Sequence, residues 1–475
     1  MPGADFRANS IKALADPQLR ANFRRAMDGL MSRRAALFAE GQDWAPLRAL
    51  GAAAKLNALA NLPALLEQLE AKLVGLGVQV HWAGTIEEGN AIVKSILARR
   101  GAKLVVKGKS MVSEEMHLNH ALEAEGIEVL EADLGEYIIQ LDHETPSHII
   151  MPAIHKNKKQ IAKLMFEKIK NAQYSEDVDA LTALARTVLR EKFETAHAGI
   201  SGVNFAVAET GTLVLVENEG NGRMCTTVPP VHIAIMGLEK VVERLDQVPA
   251  LLNLLTRSAT GQPVTTYINM ITGPRRPGEK DGPEEMHLVI LDNGRSRIFA
   301  DPELRDTLRC IRCGACMNHC PVYVRVGGHA YSGVYPGPIG KILLPQTLGI
   351  AAAGDLPHAS ALCEACTEIC PVGIPIGDLL VRLRREGARA GSGPIPVKGA
   401  GSRATLLESL IWRVWRAVYT TPALNRWMLW AVTRFGRLLP ASMPGLARWT
   451  SVRAKPVFGR RSLHELAARG GIRGE

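Results

Sequence analysis

Leucines recur at Leu59, Leu62, Leu65, Leu66, Leu69 and Leu73, three and four residues apart, so one helical face is apolar through this stretch. Pro63 interrupts it, and residues 1–75, rich in Ala, Leu and Arg, read as a helical lead-in. From about Val78 short β-type runs alternate with helical ones: VQVHWA, EEGNAIVKSILARRG, KLVVKGKS, SEEMHLNHALEAEG and IEVLEA. That βαβαβ order predicts a mainly parallel sheet covered by helices. Further strands are expected at YIIQL, HIIMPA, FAVAET, GTLVLVEN, HIAIMG and MHLVILD, giving an α/β domain over 76–300. Residues 301–390 hold two cysteine motifs around the Gly/Pro-rich stretch GGHAYSGVYPGPIG, and 391–475 read as a linker, ARAGSGPIPVKGAGS, and a helical tail. In that tail Leu406, Leu407, Leu410, Ile411, Val414, Trp415 and Val418 fall on one face, with Arg413 and Arg416 away from it.

A chain of 475 residues has ample length for a sizeable core and two or three domains. The start, MPGADFRANSIKALADP, lacks a basic and then apolar leader, and no uncharged apolar run reaches about 18 residues, so a cytoplasmic protein, or one resting on the inner face of the cytoplasmic membrane, is expected. The net charge of +10 is uneven: from Val381 onward there are 18 Lys+Arg against 4 Asp+Glu, a net of +14 that leaves −4 for the rest. The basic character belongs to the tail, and nucleic-acid binding by the body has no support.

Seven of the eight cysteines lie between Cys310 and Cys370, a clustering that reads as metal ligation and not as a disulfide framework. Cys310, Cys313, Cys316 and Cys320-Pro321 form a complete C-x2-C-x2-C-x3-C-P motif, and Cys363, Cys366 and Cys370-Pro371 form most of a second. In two-cluster ferredoxins the fourth cysteine of each motif serves the other cluster. One iron–sulfur cluster is then expected on Cys310, Cys313, Cys316 and Cys370, and the other on Cys320, Cys363 and Cys366, with its last position at Ser360. Zinc also takes C-x2-C pairs, but one tetrahedral site would leave three cysteines over. At Ser360 a serine ligand, a [3Fe–4S] cluster, a [4Fe–4S] cluster with an open iron, recruitment of Cys225 and a plain loop serine all stand open. Cys225 itself reads as a small buried residue.

Within the α/β part, Lys107, Lys109 and Ser110 precede a helix start where an anionic group could be received, or are solvated loop residues. Glu209, in AETGT, is the one candidate catalytic carboxylate, and it could equally orient its loop. His117, His120, His148, His155 and His232 show no metal-ligand spacing and read as structural.

The segments GKSMVSEEMHLNHAL, EADLGEYIIQL, PSHIIMPAIHK, NFAVAETGTLVLVENEGNGRMCTT, HIAIMGLEK, DGPEEMHLVILDNGRS and CIRCGACMNHCPVY together resemble the lactate utilisation protein B family. The resemblance covers roughly residues 70 to 390. It implies a lactate-utilisation (LUD) domain similar to ribose-phosphate isomerase and CoA-transferase-like α/β proteins, and a helical two-cluster ferredoxin module as in the iron–sulfur subunits of glycolate oxidase. It also implies a three-protein complex oxidising L-lactate to pyruvate, with a cysteine-rich subunit and a second LUD-domain subunit as partners. The family's cluster cysteines carry over onto Cys310, Cys313, Cys316, Cys320, Cys363, Cys366 and Cys370.

An electron-transfer subunit is the leading expectation, because clusters suit one-electron transfer; no G-x-G-x-x-G fingerprint precedes a helix, so hydride chemistry would need a partner or an unrecognised site. The rival is a stand-alone enzyme of acyl, CoA or phosphosugar chemistry with structural clusters and Glu209 at work. In the tail, Trp412, Trp415, Trp427, Trp430 and Trp449 interleaved with arginines suit either an interfacial membrane helix or packing on protein.

Overall fold

The structure, a computed structural model, describes residues 5–39, 44–389, 393–399, 406–440, 442, 447, 450 and 454–470. The chain divides into two compact units, Met1–Ser402 and Arg403–Glu475.

The larger unit is built on a six-stranded sheet. Its strands are β1 (Gln79–Ala83), β2 (Leu104–Lys107), β3 (Glu128–Glu131), β4 (Ala198–Gly202), β7 (Val231–Gly237) and β10 (Glu285–Leu291), in the order β1-β10-β7-β4-β2-β3 and parallel throughout. Every residue of β7 is buried, as a strand covered on both faces requires. Its alternate side chains enter two different cores: Ala234 and Met236 join one, Ile233 and Ile235 the other. A second, mixed sheet runs β8-β5-β6-β9, from β5 (Phe205–Val207), β6 (Thr212–Glu217), β8 (Val241–Val242) and β9 (Tyr267–Ile271).

Two expected strands are absent. YIIQL lies in the helix Leu134–Leu141, started by Asp133, whose carboxylate accepts from the Gly135 and Glu136 N–H groups. So short an apolar run carries no period that separates strand from helix. HIIMPA is a turn: His148 Nδ1 accepts from the N–H groups of Ile150 and Met151, and Pro152 follows. Conversely β4, AGISG, lacks a strand-like signal because its glycine answers a close approach. A Cβ on Gly199 would stand 1.8 Å from the Cys225 carbonyl oxygen.

The lead-in forms the helices Phe6–Ala15, Pro17–Ala39, Trp44–Ala60 and Leu62–Gly75, the last two bent by 86° where Pro63 opens a new first turn. Leu66, Leu69 and Leu73 pack in the same core as Val207 and Leu288 of the sheets and Ile339, Leu343, Leu379 and Leu383 of the cysteine region. Lead-in, α/β part and cysteine region therefore share one interior.

In the smaller unit the helices Leu406–Thr420 and Pro422–Phe435 contain no buried residue. Leu407, Leu410, Ile411, Trp412, Trp415, Trp427 and Trp430 are exposed, and Trp449 lies outside the described residues. Among the described residues no single helix is long and apolar enough to cross a membrane.

Candidate iron–sulfur site and the cavity beside it

The first cysteine motif is a tight loop running into the short helix Ala315–Asn318. Arg312 (φ 61°) and Gly314 (φ 83°) turn it in the left-handed region, and a side chain at 314 would press on Ile150 and His148 at 3.1 and 3.2 Å. The turn aims Cys310, Cys313 and Cys316 into one pocket, and Cys370 of the second motif lines the same pocket between Ile149, Ile339, Ile374 and Ile376. Backbone N–H groups already point at two of the sulfurs, Arg312 N–H to Cys310 Sγ at 3.4 Å and Ile374 N–H to Cys370 Sγ at 3.3 Å.

Burial, and after it the neighbouring thiols, push the Cys313 and Cys316 thiols well up. Four thiols in an apolar pocket ionise together only against a polycation, and an iron–sulfur core is one. The donor set thus fits such a core, and the pocket brings cysteines of both motifs together.

The second group is more open. Cys320 is buried, Cys366 half-buried and Cys363 exposed. Left-handed residues, Leu362 and Glu364, flank Cys363. Burial and then Cys320 push the Cys366 thiol up to about 11. The short helices Ala315–Asn318 and Ala365–Glu368, which carry Cys316 and Cys366, pack together, so the two groups adjoin. Lys341, from the wholly buried helix Gly337–Thr347, donates to Cys320 Sγ at 3.2 Å. A buried ammonium against a sulfur fits a site whose occupied state is anionic. Ser360 Oγ accepts from the Leu362 N–H at 3.2 Å, holding a local turn. Cys225 is fully buried beside Leu104, Val106 and Phe193, in a core that includes none of the motif cysteines.

A buried charge network ties the first motif to the α/β part. Glu239 accepts from Arg295 Nε at 2.7 Å and from Arg312 Nη2 at 3.0 Å. Glu115 takes both terminal nitrogens of Arg295 and the Tyr335 hydroxyl at 2.7 Å. Against the cost of burial, Arg295 and Arg312 hold the Glu239 carboxyl down to about 2. Burial, then Arg312, pushes the Lys240 ammonium down to about 8. Sequence reasoning passed over Glu239, Lys240, Arg295 and Lys341. The signal for Lys341 was a lone cation inside the apolar run PGPIGKILLP.

Beyond the carboxyl ends of β2, β4 and β7 lies a cavity of about 230 Å³. Ligands in parallel α/β sheets favour this edge. Ile149, Arg312 and Cys313 line both this cavity and the four-cysteine pocket, so the two share a wall. Lys109 and Ser110 line the cavity, whereas Lys107 is buried between Glu131 at 2.7 Å and Glu114 at 3.0 Å. Glu209 is brought to none of this: exposed, it accepts the Leu245 N–H at 3.0 Å and steadies its loop.

Among the histidines, His148 pairs with Asn318 at 3.0 Å and His232 with Ser201 at 2.8 Å, as structural residues do. His155 differs from the expectation of no metal-ligand grouping. With Glu144 and His329 it forms a set whose ligand atoms lie within 4.8 Å of one another. The Lys156 ammonium already holds Glu144 at 2.9 Å.

Residues 66–291 match the LUD domain and residues 306–374 the 4Fe-4S dicluster domain, which defines the class: an α/β LUD protein with a dicluster ferredoxin segment. Residues 382–472 match the C-terminal region of lactate utilisation protein B. Lactate utilization protein B of Bacillus licheniformis is 42% identical over 460 residues, covering 95% of this chain and 94% of its own. That of Bacillus subtilis (strain 168) is 43% identical over 91% of this chain and 89% of its own. A protein of Escherichia coli (strain K12) described as "Uncharacterized electron transport protein YkgF" is 46% identical over 82% and 81%. The chain belongs to the lactate utilization protein B family.

Proposed function

We propose that this chain is the iron–sulfur electron-transfer subunit of an L-lactate-oxidising complex, passing electrons released in the oxidation of lactate to pyruvate toward a respiratory acceptor. The names of its relatives, lactate utilization protein B and an electron transport protein, support the setting. The observation that carries the reading is the pocket in which three cysteines of one motif meet Cys370 of the other. Bound clusters supply one-electron steps at potentials that charge and hydrogen bonds to sulfur adjust. Here Cys310, Cys313, Cys316 and Cys370 hold the first cluster, and Cys320, Cys363 and Cys366 the second. The Arg312 and Ile374 N–H groups and the Lys341 ammonium offset negative charge on the sulfurs. A cysteine-rich subunit and a second LUD-domain subunit are the partners. The tail, with exposed Trp412, Trp415, Trp427 and Trp430 among arginines, rests on the inner face of the cytoplasmic membrane.

The test is anaerobic purification, iron and sulfide counting, and EPR as isolated and after dithionite, with Ser360→Cys alongside. About eight irons with two reduced signals supports two [4Fe–4S] clusters. About seven irons with an oxidised [3Fe–4S] signal that Ser360→Cys removes supports an incomplete second cluster. Zinc in place of iron overturns the proposal.

A further inference from the structure

The cavity at the carboxyl edge of the sheet holds a cation that the fold does not use. Lys240 is 7% exposed, lines the cavity, and among the described residues its ammonium makes no hydrogen bond or ion pair. Glu239 and Cys310 act on it electrostatically but neither bonds to it, and a buried charge without a bonded partner is costly unless a counter-ion comes to it. Beside it on the same wall Arg312, stacked over the Tyr335 ring, gives Nη2 to Glu239, while its Nη1 has no hydrogen-bond partner. The other cation, Lys109, is committed to the Ile150 carbonyl.

The cavity's carboxylates belong to a neighbouring group around Asn221 and Gly222. Glu217 is held by the N–H groups of Gly222 and Arg223, and Asp133 caps a helix. Glu219 feels the charge of Asp133 after its own burial. The rest of the lining is mixed, with Val203, Leu215, Ile235 and Leu255 giving it apolar wall and Ser201 and Thr256 among its polar groups. At about 230 Å³ the space equals on the order of eight water volumes, more than a three-carbon acid fills.

We infer that this cavity binds a small monocarboxylate, a 2-hydroxy or 2-oxo acid, with its carboxylate on Lys240 and Arg312 and its side chain against the apolar walls. The acid then sits across the Arg312–Cys313 wall from the four-cysteine pocket. The space left over admits longer and aromatic side chains, and the carboxylates of Asp133, Glu217 and Glu219 repel a second acid group. The choice of 2-hydroxy and 2-oxo acids rests on the electron-transfer reading above; the single anion site and its apolar wall do not.

The experiment is calorimetric titration of the full chain, purified anaerobically with its iron and sulfide counted, with pyruvate, phenylpyruvate and oxaloacetate. Pyruvate and phenylpyruvate are expected to bind saturably, and oxaloacetate at least tenfold more weakly. Lys240→Gln is expected to weaken both monocarboxylates tenfold or more with the iron count unchanged. Val203→Phe, which fills the cavity and leaves the charge, is expected to abolish phenylpyruvate binding and serves if Lys240→Gln is insoluble. EPR of the reduced protein is expected to shift when pyruvate is added. No saturable binding up to about 10 mM by a protein with its full iron, or binding indifferent to both substitutions, overturns the inference. An iron-free protein that still binds pyruvate through Lys240 would overturn the electron-transfer reading and leave the site.

Discussion

Lys341 and Gly314 are where single side chains govern the cysteine groups. Lys341→Met removes a buried ammonium 3.2 Å from Cys320 Sγ, so on the proposed assignment a cluster held by Cys320 would lose stabilisation of its more negative, reduced form. Its midpoint potential is expected to move to a more negative value in an EPR-monitored redox titration, with the cluster at Cys310 little changed. Gly314→Ala meets both a left-handed backbone, costing about 1–2 kcal/mol, and the contacts to Ile150 and His148. The expected outcome is loss of iron from the Cys310 group first, seen as a reduced visible absorbance per chain.

At the scale of elements, β4 and the Glu239 network show what the chain tolerates. Gly199→Ala drives a methyl into the Cys225 carbonyl, and since both atoms belong to packed backbone, a loss of about 3 kcal/mol or more in urea unfolding is expected. Glu239→Gln leaves Arg295 and Arg312 without their shared carboxylate, a change of about 3–5 kcal/mol for a buried pair. These elements also mark how far sequence reading reaches. The central parallel strands β2, β7 and β10 stand out because strands covered on both faces are mainly apolar, whereas β1 and β3 lie at the sheet edges and β1 is partly exposed. The cysteine spacing was legible because ligation depends on short chain separations. β4 was not, because its two glycines serve close packing and carry no hydrophobic signal. Neither was the helix Leu134–Leu141, whose start depends on Asp133, nor the Lys240 cavity, whose lining comes from loops that only the fold brings together.

For the whole molecule, acid is the revealing variable. His232 is pushed by burial from 6.5 down to about 3, so below about pH 6.5 the unfolded chain takes up a proton that the folded one refuses. Stability present above that pH declines as pH falls toward 3. Glu239, held at about 2 against an ordinary 4.5, adds a second decline below about pH 4.5. Urea midpoints followed by circular dichroism are expected to fall in those two stages; a midpoint level from pH 7 to pH 5 would speak against the first. The tail separates charge along the chain, +14 from Val381 onward against −4 before it. Trp412→Glu with Trp415→Glu in the full chain is expected to lower co-sedimentation with anionic vesicles and leave the iron count unchanged. Retained co-sedimentation would end the membrane reading.

The shared interior has one more consequence. Leu69 of the lead-in, Leu288 of the sheet and Leu379 beyond the second motif lean on a single core that also includes Cys313, Cys316, Cys320 and Cys370. Among the described residues of the larger unit, the cysteine region thus shares its core with the sheet and the lead-in. Loss of the proposed clusters is therefore expected to loosen the sheet as well as the cysteine region. Iron-depleted protein is then expected to be cut by protease throughout this unit, faster than iron-loaded protein.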